Sequence, residues 1–531
     1  MNTRARWFAL AAFLVALVAC RQDDSTDVGS GSAPIVSAPA PPPPADLVAT
    51  LVLPRPDETW RALRRAVGAS PSPRVPRAAG VWVAHSVGFP LTAAEVVDDR
   101  VPWVGAVSGA GDTWRWALAI HARDAEHLIA IVSGGAKPTV TAERDGAITW
   151  LERARGAAAT STPAVTAAVV GHYLLLGSGR PAVRHLGPWL SRATGPAAKR
   201  DGEDVQIDVH AAVKPPGFWP RSGALLSLVA GDRVRAKMMD MLAAIETGRV
   251  ALSWSEDHVT ARARFEMRMP SAAPAATWPR ERLLDWPDDV VAAAAWTDVR
   301  AEREASARER AEVIGARFGA PVEEVATPMV AVASAMGDRH RLALRCNGVG
   351  MTGVATGEAS DQAALQAGLA DLVALREMAA VEATLARESL SLEVRPRRLE
   401  RVPYDLTRLR LSRSDAPEGD VDFLFGVGAD RYVAATGSQT VESLQRLAGP
   451  DPSRSLARLP GWAEAVEMLP QALGMGAVAD VRNLLGCLSG RPGGRPALLA
   501  MGTAREGRAW RLALSATPTA VALLLNAVDG R

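Results

Sequence analysis

Cys20 carries the clearest chemistry in this chain. It closes the string Leu17-Val18-Ala19-Cys20, directly after an apolar run from Trp7 to Ala19, and Arg4 and Arg6 precede that run. A charged start, a short apolar segment and small residues at a cut form an export signal. The run spans about a dozen residues, whereas a membrane-spanning helix needs about 20. Residues 1–19 therefore read as a signal peptide, and removing them leaves a thiol on the first mature residue. Other groups could act only by converging in space. Ser178 and Ser438 each follow an apolar strand and a glycine, the position of a helix N-cap. Asp98-Asp99 offers a cation site or an acid/base pair, but reads more simply as a polar turn ahead of Arg100 and Pro102. The eight histidines are scattered, His121 and His127 being the nearest pair. No His-Glu-x-x-His or Cys-x-x-Cys string is present, so no metal site is expected. Gly348-Val349-Gly350-Met351-Thr352-Gly353 matches G-x-G-x-x-G. A dinucleotide site needs a helix to open at the third glycine. Here Val354-Ala355-Thr356-Gly357 follows, which predicts a strand and a glycine-rich turn, so no cofactor is expected.

The four residues ending at Cys20 resemble the lipobox of bacterial lipoproteins. That resemblance implies a diacylglyceryl group on the Cys20 sulfur, removal of the signal and acylation of the new amino terminus. Each buried methylene contributes ~0.8 kcal/mol and one chain anchors only marginally, so several chains on one residue make a durable anchor. The membrane is thus an expected partner through Cys20. In Gram-negative members of that family an aspartate after the cysteine tends to hold the protein at the inner membrane. Arg21 stands there instead, which favours the outer membrane, facing the periplasm or the cell surface. Residues 20–45 are rich in Ser, Gly, Ala and Pro, with Pro41 to Pro44 in a row, and predict an extended tether.

Composition narrows the rest. The 60 basic residues less Arg4 and Arg6 leave 58 against 58 acidic ones, a near-neutral mature chain that argues against a nucleic-acid role. About 490 folded residues exceed one ordinary core, so two or more domains are expected. Cys346 and Cys487 remain in the mature part. An oxidising compartment would permit a disulfide; buried free thiols are the expectation.

Internal repetition predicts two related halves. Gly171-His172-Tyr173-Leu174-Leu175-Leu176-Gly177-Ser178 matches Asp430-Arg431-Tyr432-Val433-Ala434-Ala435-Thr436-Gly437-Ser438, with one residue fewer between Tyr and Gly-Ser in the first copy. Val183, Leu186 and Leu190 follow one copy at helical spacing, and Val441, Leu444 and Leu447 the other. The stretch from Asp46 to Leu51 pairs with that from Asp289 to Ala294, and Trp116–His121 with Arg341–Arg345. His172 faces Arg431 in the match, which predicts a surface position rather than an imidazole role. The halves are expected at 46–247 and 288–531. The join at 248–287 should hold a hairpin from Arg249 to Met269, turning at Glu256-Asp257, and a proline-rich linker. Mixed strands and helices, with a hairpin at Asp145-Gly146, predict an α+β fold of mostly antiparallel sheet. A helix is expected from Ser360 to Ser389, and the run Arg300 to Glu312 reads as a solvated helix face. Trp103, Trp114, Trp116 and Trp150 read as core packing first and a stacking platform second.

The strand–Gly-Ser–helix segments are similar to a family of bacterial envelope proteins of unknown function, a resemblance that implies no catalytic residues. The functional expectation is a lipid-anchored envelope protein that binds or scaffolds and is not an enzyme, with an envelope protein as a possible partner. The alternatives are a periplasmic carrier of an apolar ligand and a hydrolase whose site converges only in space.

Overall fold

The computed structural model describes residues 42–68, 76–110, 113–134, 140–153, 165–197, 204–210, 245–255, 257–268, 276–346, 350–400, 402–413, 420–448, 454–489 and 493–528. Cys20, the signal and most of the tether lie outside them, as do Gly348 and Val349. The fold is α+β with antiparallel sheet. The chain divides into two compact units: one runs to Ser271 and takes in Glu506–Leu512, and the other holds Ala272–Arg505 and Ala513–Arg531.

The first unit is built on one sheet. From edge to edge it runs Val259–Met267, Ile245–Trp254, Val205–Val209, Leu47–Leu53, Trp103–Ala110, Thr113–His121, Tyr173–Gly177, Thr166–Val170, Ile148–Arg153 and Val140–Asp145. Helix Arg180–Ala197 lies on one face. Its Val183, Leu186 and Leu190 sit at one-turn and two-turn spacing, are fully buried, and pack on Val104, Ala117, Ala119 and Leu175. Helices Ala79–Val87 and Ala125–Ser133 cover the other face over Trp103, Ile120, Leu174 and Leu176. The hairpin expected to join the halves belongs to this sheet. The Ser255 amide donates to the His258 carbonyl at 2.8 Å where its strands join, Glu256 of the expected turn lying outside the described residues. The hairpin pairs with Val205–Val209, because its alternating buried residues complete the sheet face.

The second unit repeats that order. Its sheet runs Leu498–Glu506, Met475–Asp480, Val290–Thr297, Met336–Cys346, Met351–Ala359, Arg431–Gly437, Val421–Val427, Asp405–Arg413 and Leu390–Arg398. The two-residue strands Trp278–Pro279 and Ala472–Leu473 pair separately. Counted in chain order within each unit, nine strands of each sheet have the same neighbours. Smaller details recur too. Asp124 and Asp361 each cap the helix after the third strand, accepting an amide at 2.9 Å. Asp46 bonds His185 of helix Arg180–Ala197 at 2.7 Å, and Asp289 bonds Arg446 of helix Thr440–Ala448 at 2.8 Å.

The register corrects two expected correspondences. Gly177 pairs with Ala117 and Gly437 with Thr352, which sets Tyr173 opposite His121 and Val433, not Tyr432, opposite Thr356. One residue of slip sends a side chain to the opposite face. Tyr173 accordingly packs on the core beneath helix Arg180–Ala197, whereas Tyr432 packs with Ala335 and Leu365 on the reverse face of its own sheet. The strand holding Arg341–Arg345 occupies the place of Trp103–Ala110, not of Trp116–His121, because it is the second strand of its sheet.

Three further expectations change. Cys346 and Cys487 form a disulfide, since the end of strand Met336–Cys346 and helix Val481–Ser489 bring their Cα atoms to 6.1 Å, within bridging range. The helix expected over 360–389 is two, Gln362–Ala374 and Ala379–Arg387, parted by a tight turn at Leu375–Glu377. Arg303 in the charged run is buried, because its guanidinium is held by Asp298, Asp338 and backbone carbonyls at the end of the sheet.

Candidate functional site

Strand Met336–Cys346 alternates Arg339, His340 and Arg341, so the two arginines share one face and His340 takes the other. On the arginine face, at one end of the second sheet, a cavity of about 850 Å³ opens. Strand Met351–Ala359 contributes Thr356 and Glu358, and strand Arg431–Gly437 contributes Arg431. Arg282 comes from a short 3₁₀ turn, and Arg300 and Arg303 from the first turns of helix Arg300–Phe318. Six arginines thus line the cavity, against Asp338, Glu358 and Asp430. The carboxylates that pair with several of these cations, Asp285, Glu304 and Asp298, are not among the lining residues. Counted over the lining residues alone, the cavity has six cations against three carboxylates.

Each of these arginines has a carboxylate within 4 Å, Arg339 meeting Glu358 at 3.4 Å, Arg282 meeting Asp285 at 2.9 Å and Arg431 meeting Asp430 at 3.6 Å, but two features mark the Arg339–Arg341 pair. The Arg339 Nε is buried without a hydrogen-bond partner. Burial weakens the hold of Arg341 on its proton, Asp285 opposes that, and the like charges of Arg282 and Arg431 add to it. The indole of Trp278 sits 5.6 Å from the guanidinium carbons of both Arg339 and Arg341, and Trp286 sits 5.1 Å from that of Arg341. Such stacking fixes the two forks, whose edges meet Glu358 and Asp285 at a long 3.4 Å each, contacts that a bound oxyanion would compete with.

A buried relay on the reverse face holds this end of the sheet. His340 Nδ1 meets the Tyr432 hydroxyl at 2.8 Å and its Nε2 meets Asp298 at 3.1 Å, while its ring stacks on Trp296 at 5.4 Å. Burial raises the Asp298 carboxyl, but hydrogen bonds from His340 and Arg303 outweigh it and hold the group below the usual carboxylate range. Asp298 is then an acceptor only, so the His340 Nε2–H donates to it. Burial pushes the Tyr432 phenol well up, so it keeps its proton. Gly357 lies between His340 and Tyr432 in register, and a Cβ there would stand 2.7 Å from the Tyr432 hydroxyl. Only glycine lets the tyrosine cross that strand. Arg303 also donates to Asp298 at 2.5 Å and Asp338 at 2.9 Å, tying the relay to the cavity wall.

The residues singled out in the sequence do not assemble there. Ser178 accepts the amide of Trp116 at 3.1 Å, bracing the turn against the neighbouring strand rather than serving as the expected cap alone. The same brace recurs reversed in the second unit, where Thr352 accepts the amide of Gln439 at 3.1 Å. Ser438 lies against Gly350, whose Cβ position is 3.0 Å from the serine oxygen. Met351–Ala359 is a strand, so no helix opens at Gly353. Asp98 comes within 3.6 Å of His121 Nδ1 and 3.8 Å of Arg123. That histidine is also 6.2 Å from His172 and 5.5 Å from Tyr173, ring to ring. Ser178 is five residues beyond Tyr173 along the chain, roughly 15 Å away at strand spacing, and does not join them. Asp99 is raised by burial and by Asp57. His172 is exposed, as expected, and His127 lends only its amide to the Asp124 cap. Trp103 and Trp150 are fully buried on opposite faces of the sheet, and Trp116 packs half-buried in the cluster that holds Trp103.

The arginine cavity escaped the sequence reading. One signal for Arg303 was present: it begins a stripe at every fourth position, Arg303, Ala307, Ala311 and Gly315, all buried on one helix face. Among the described residues no group of three or more His, Cys, Asp or Glu side chains could hold a metal, and no helix is long and apolar enough to cross a membrane.

No family model matches the chain, and no curated protein matches it. Among solved structures, crystal form I of TP0453 is similar over 44% of this chain and 78% of that one, at 9% identity and a TM-score of 0.26, a likeness too slight to inform fold or function.

Proposed function

We propose that this chain is a lipid-anchored protein of the bacterial cell envelope that binds rather than catalyses, and that its second unit takes an anionic ligand in the arginine cavity. The cavity carries this reading: six arginines and a stacked tryptophan line about 850 Å³, the size of a small-molecule site. Carboxylate and phosphate groups suit paired guanidinium forks. The anchor is supported by the string ending at Cys20 and by the tether after it.

Calorimetry of the full chain with tripolyphosphate and citrate as probes tests the binding. One-to-one uptake is expected, falling at least tenfold in Arg341→Met and again in the double variant with Arg339→Met. No uptake of either probe, or uptake indifferent to both changes, refutes the site. The anchor has its own measurement: Cys20→Ala should move the protein from the membrane fraction to the soluble one, and unchanged partitioning and mass would exclude lipidation.

A further inference from the structure

The second unit has another cavity, of about 210 Å³, on the reverse face of its sheet. Phe423 and Phe425 of one strand, their rings 5.8 Å apart, and Leu409 of the next form its floor. Phe318 and Leu372 of the covering helices form its roof, and Arg376 is the one charged residue among its described lining. Among the described residues on the corresponding face of the first sheet, Val140, Leu151, Ala167 and Val169 share one buried cluster with Val83, Leu128 and Val132 of the covering helices. The same scaffold therefore fills this space in one unit and leaves it open in the other.

We propose that this cavity binds a single alkyl chain ending in a carboxylate, with the tail among the phenylalanines and the acid on Arg376. Volume selects the class of occupant. One turn of α-helix, 5.4 Å long and at least 10 Å across, fills roughly 400 Å³, so a partner helix does not fit and a chain in single file does. Access is available, because Ile314 and Phe423 line the cavity and are each 36% exposed, an uncovered apolar mouth of the kind that marks a ligand site. The head group follows from Arg376, whose side chain is 33% exposed and whose ion partner is its neighbour Glu377 at 3.3 Å. Its fork offers a carboxylate two parallel donors. Helix Arg300–Phe318 passes from one cavity to the other, Arg303 lining the first and Ile314 the second, about 16 Å apart at 1.5 Å per residue. The two sites are thus separable by mutation.

Calorimetry of the full chain with decanoate and with decanol distinguishes head group from tail. Decanoate should bind one to one. Val381→Phe, which fills the cavity from a half-exposed position, should weaken it at least tenfold while leaving tripolyphosphate uptake unchanged; Val373→Phe serves if that variant fails to fold. Arg376→Gln should weaken decanoate about fivefold and leave decanol unaffected. Absence of decanoate binding, binding indifferent to the folded filling variant, or association with anionic phospholipid vesicles in place of free decanoate would each overturn the site.

Discussion

The two units share a strand order, an aspartate cap and an aspartate tie, yet the same end of the same strand pair holds different chemistry. With Gly177 and Gly437 in register, Tyr173 and His121 of the first unit stand where Val433 and Thr356 stand in the second. Val104 pairs with Ala119 and Ala343 with Val354, which sets Pro102 in the place of Arg341. In the first unit an aromatic cluster around His121 occupies that end, and among the described residues buried apolar side chains pack both faces of the sheet. In the second, Arg341 stands in the place of Pro102, that end holds the arginine cavity, and the reverse face keeps an apolar cavity. A scaffold that closes tightly in one copy does not need cavities to fold. Their presence in the other copy is therefore better explained by what they hold.

The largest difference to break is the cross-link. The Cys346–Cys487 bridge spans 141 residues of the second unit, and the described first unit has no cysteine. Replacing both with serine should cost the second unit about 4 kcal/mol. Hydrogen exchange should show faster opening of strands Met336–Cys346 and Val290–Thr297, with Leu47–Leu53 and Trp103–Ala110 unchanged. Equal acceleration in both units would mean that they unfold as one body and that the comparison has no energetic content.

The capping aspartates sharpen what is shared. Asp124 and Asp361 hold the same backbone conformation and the same amide bond. Asp124→Ala and Asp361→Ala should each cost about 1 kcal/mol, read as equal shifts of the two units' own denaturation midpoints. A cost confined to one variant would show that only one of these helices is held by its cap.

How much of this could be read from the chain depends on whether the cause is local. Tyr-led strands, the Gly-Ser break, the Asp46 and Asp289 starts and the Asp145-Gly146 hairpin are local patterns, and the α+β fold followed from them. Register is not local. The extra residue between Tyr432 and Gly437 was visible, but the face it assigned to Tyr432 depends on which strand lies alongside. The cavity depends on four strands, the helices Arg300–Phe318 and Val322–Ala335 and a turn meeting at one end, and its arginines sit in segments whose alternating charge looks like solvated surface. Arg303 differs from Arg300 only in the direction its helix face takes. The disulfide likewise needed a distance across 141 residues that spacing does not encode.

The smallest expected effect is a pH dependence with different windows in the two units. Burial holds His121 below its ordinary 6.5; Asp98 opposes that and His172 adds to it. The unfolded chain therefore binds this proton more readily than the folded one, and stability must fall as pH drops through 6.5. Asp298 in the second unit is held below 3.8, so its contribution is complete above the carboxylate range and is lost only as pH falls beneath it. Between pH 7.5 and 5.5 the His121 effect acts and that of Asp298 does not. Asp99, raised by burial and by Asp57, has the opposite sign, so the comparison needs a variant that isolates the histidine. The first unit's opening free energy, followed by hydrogen exchange at Ala119 and Leu175, should decline over that interval in the native chain and less steeply in His121→Gln. Strands of the second unit should show no such difference between the two proteins. An identical slope in the variant would remove His121 as the cause, and with it the view that the aromatic closure of the first unit bears an electrostatic cost that the second unit's Thr356 avoids.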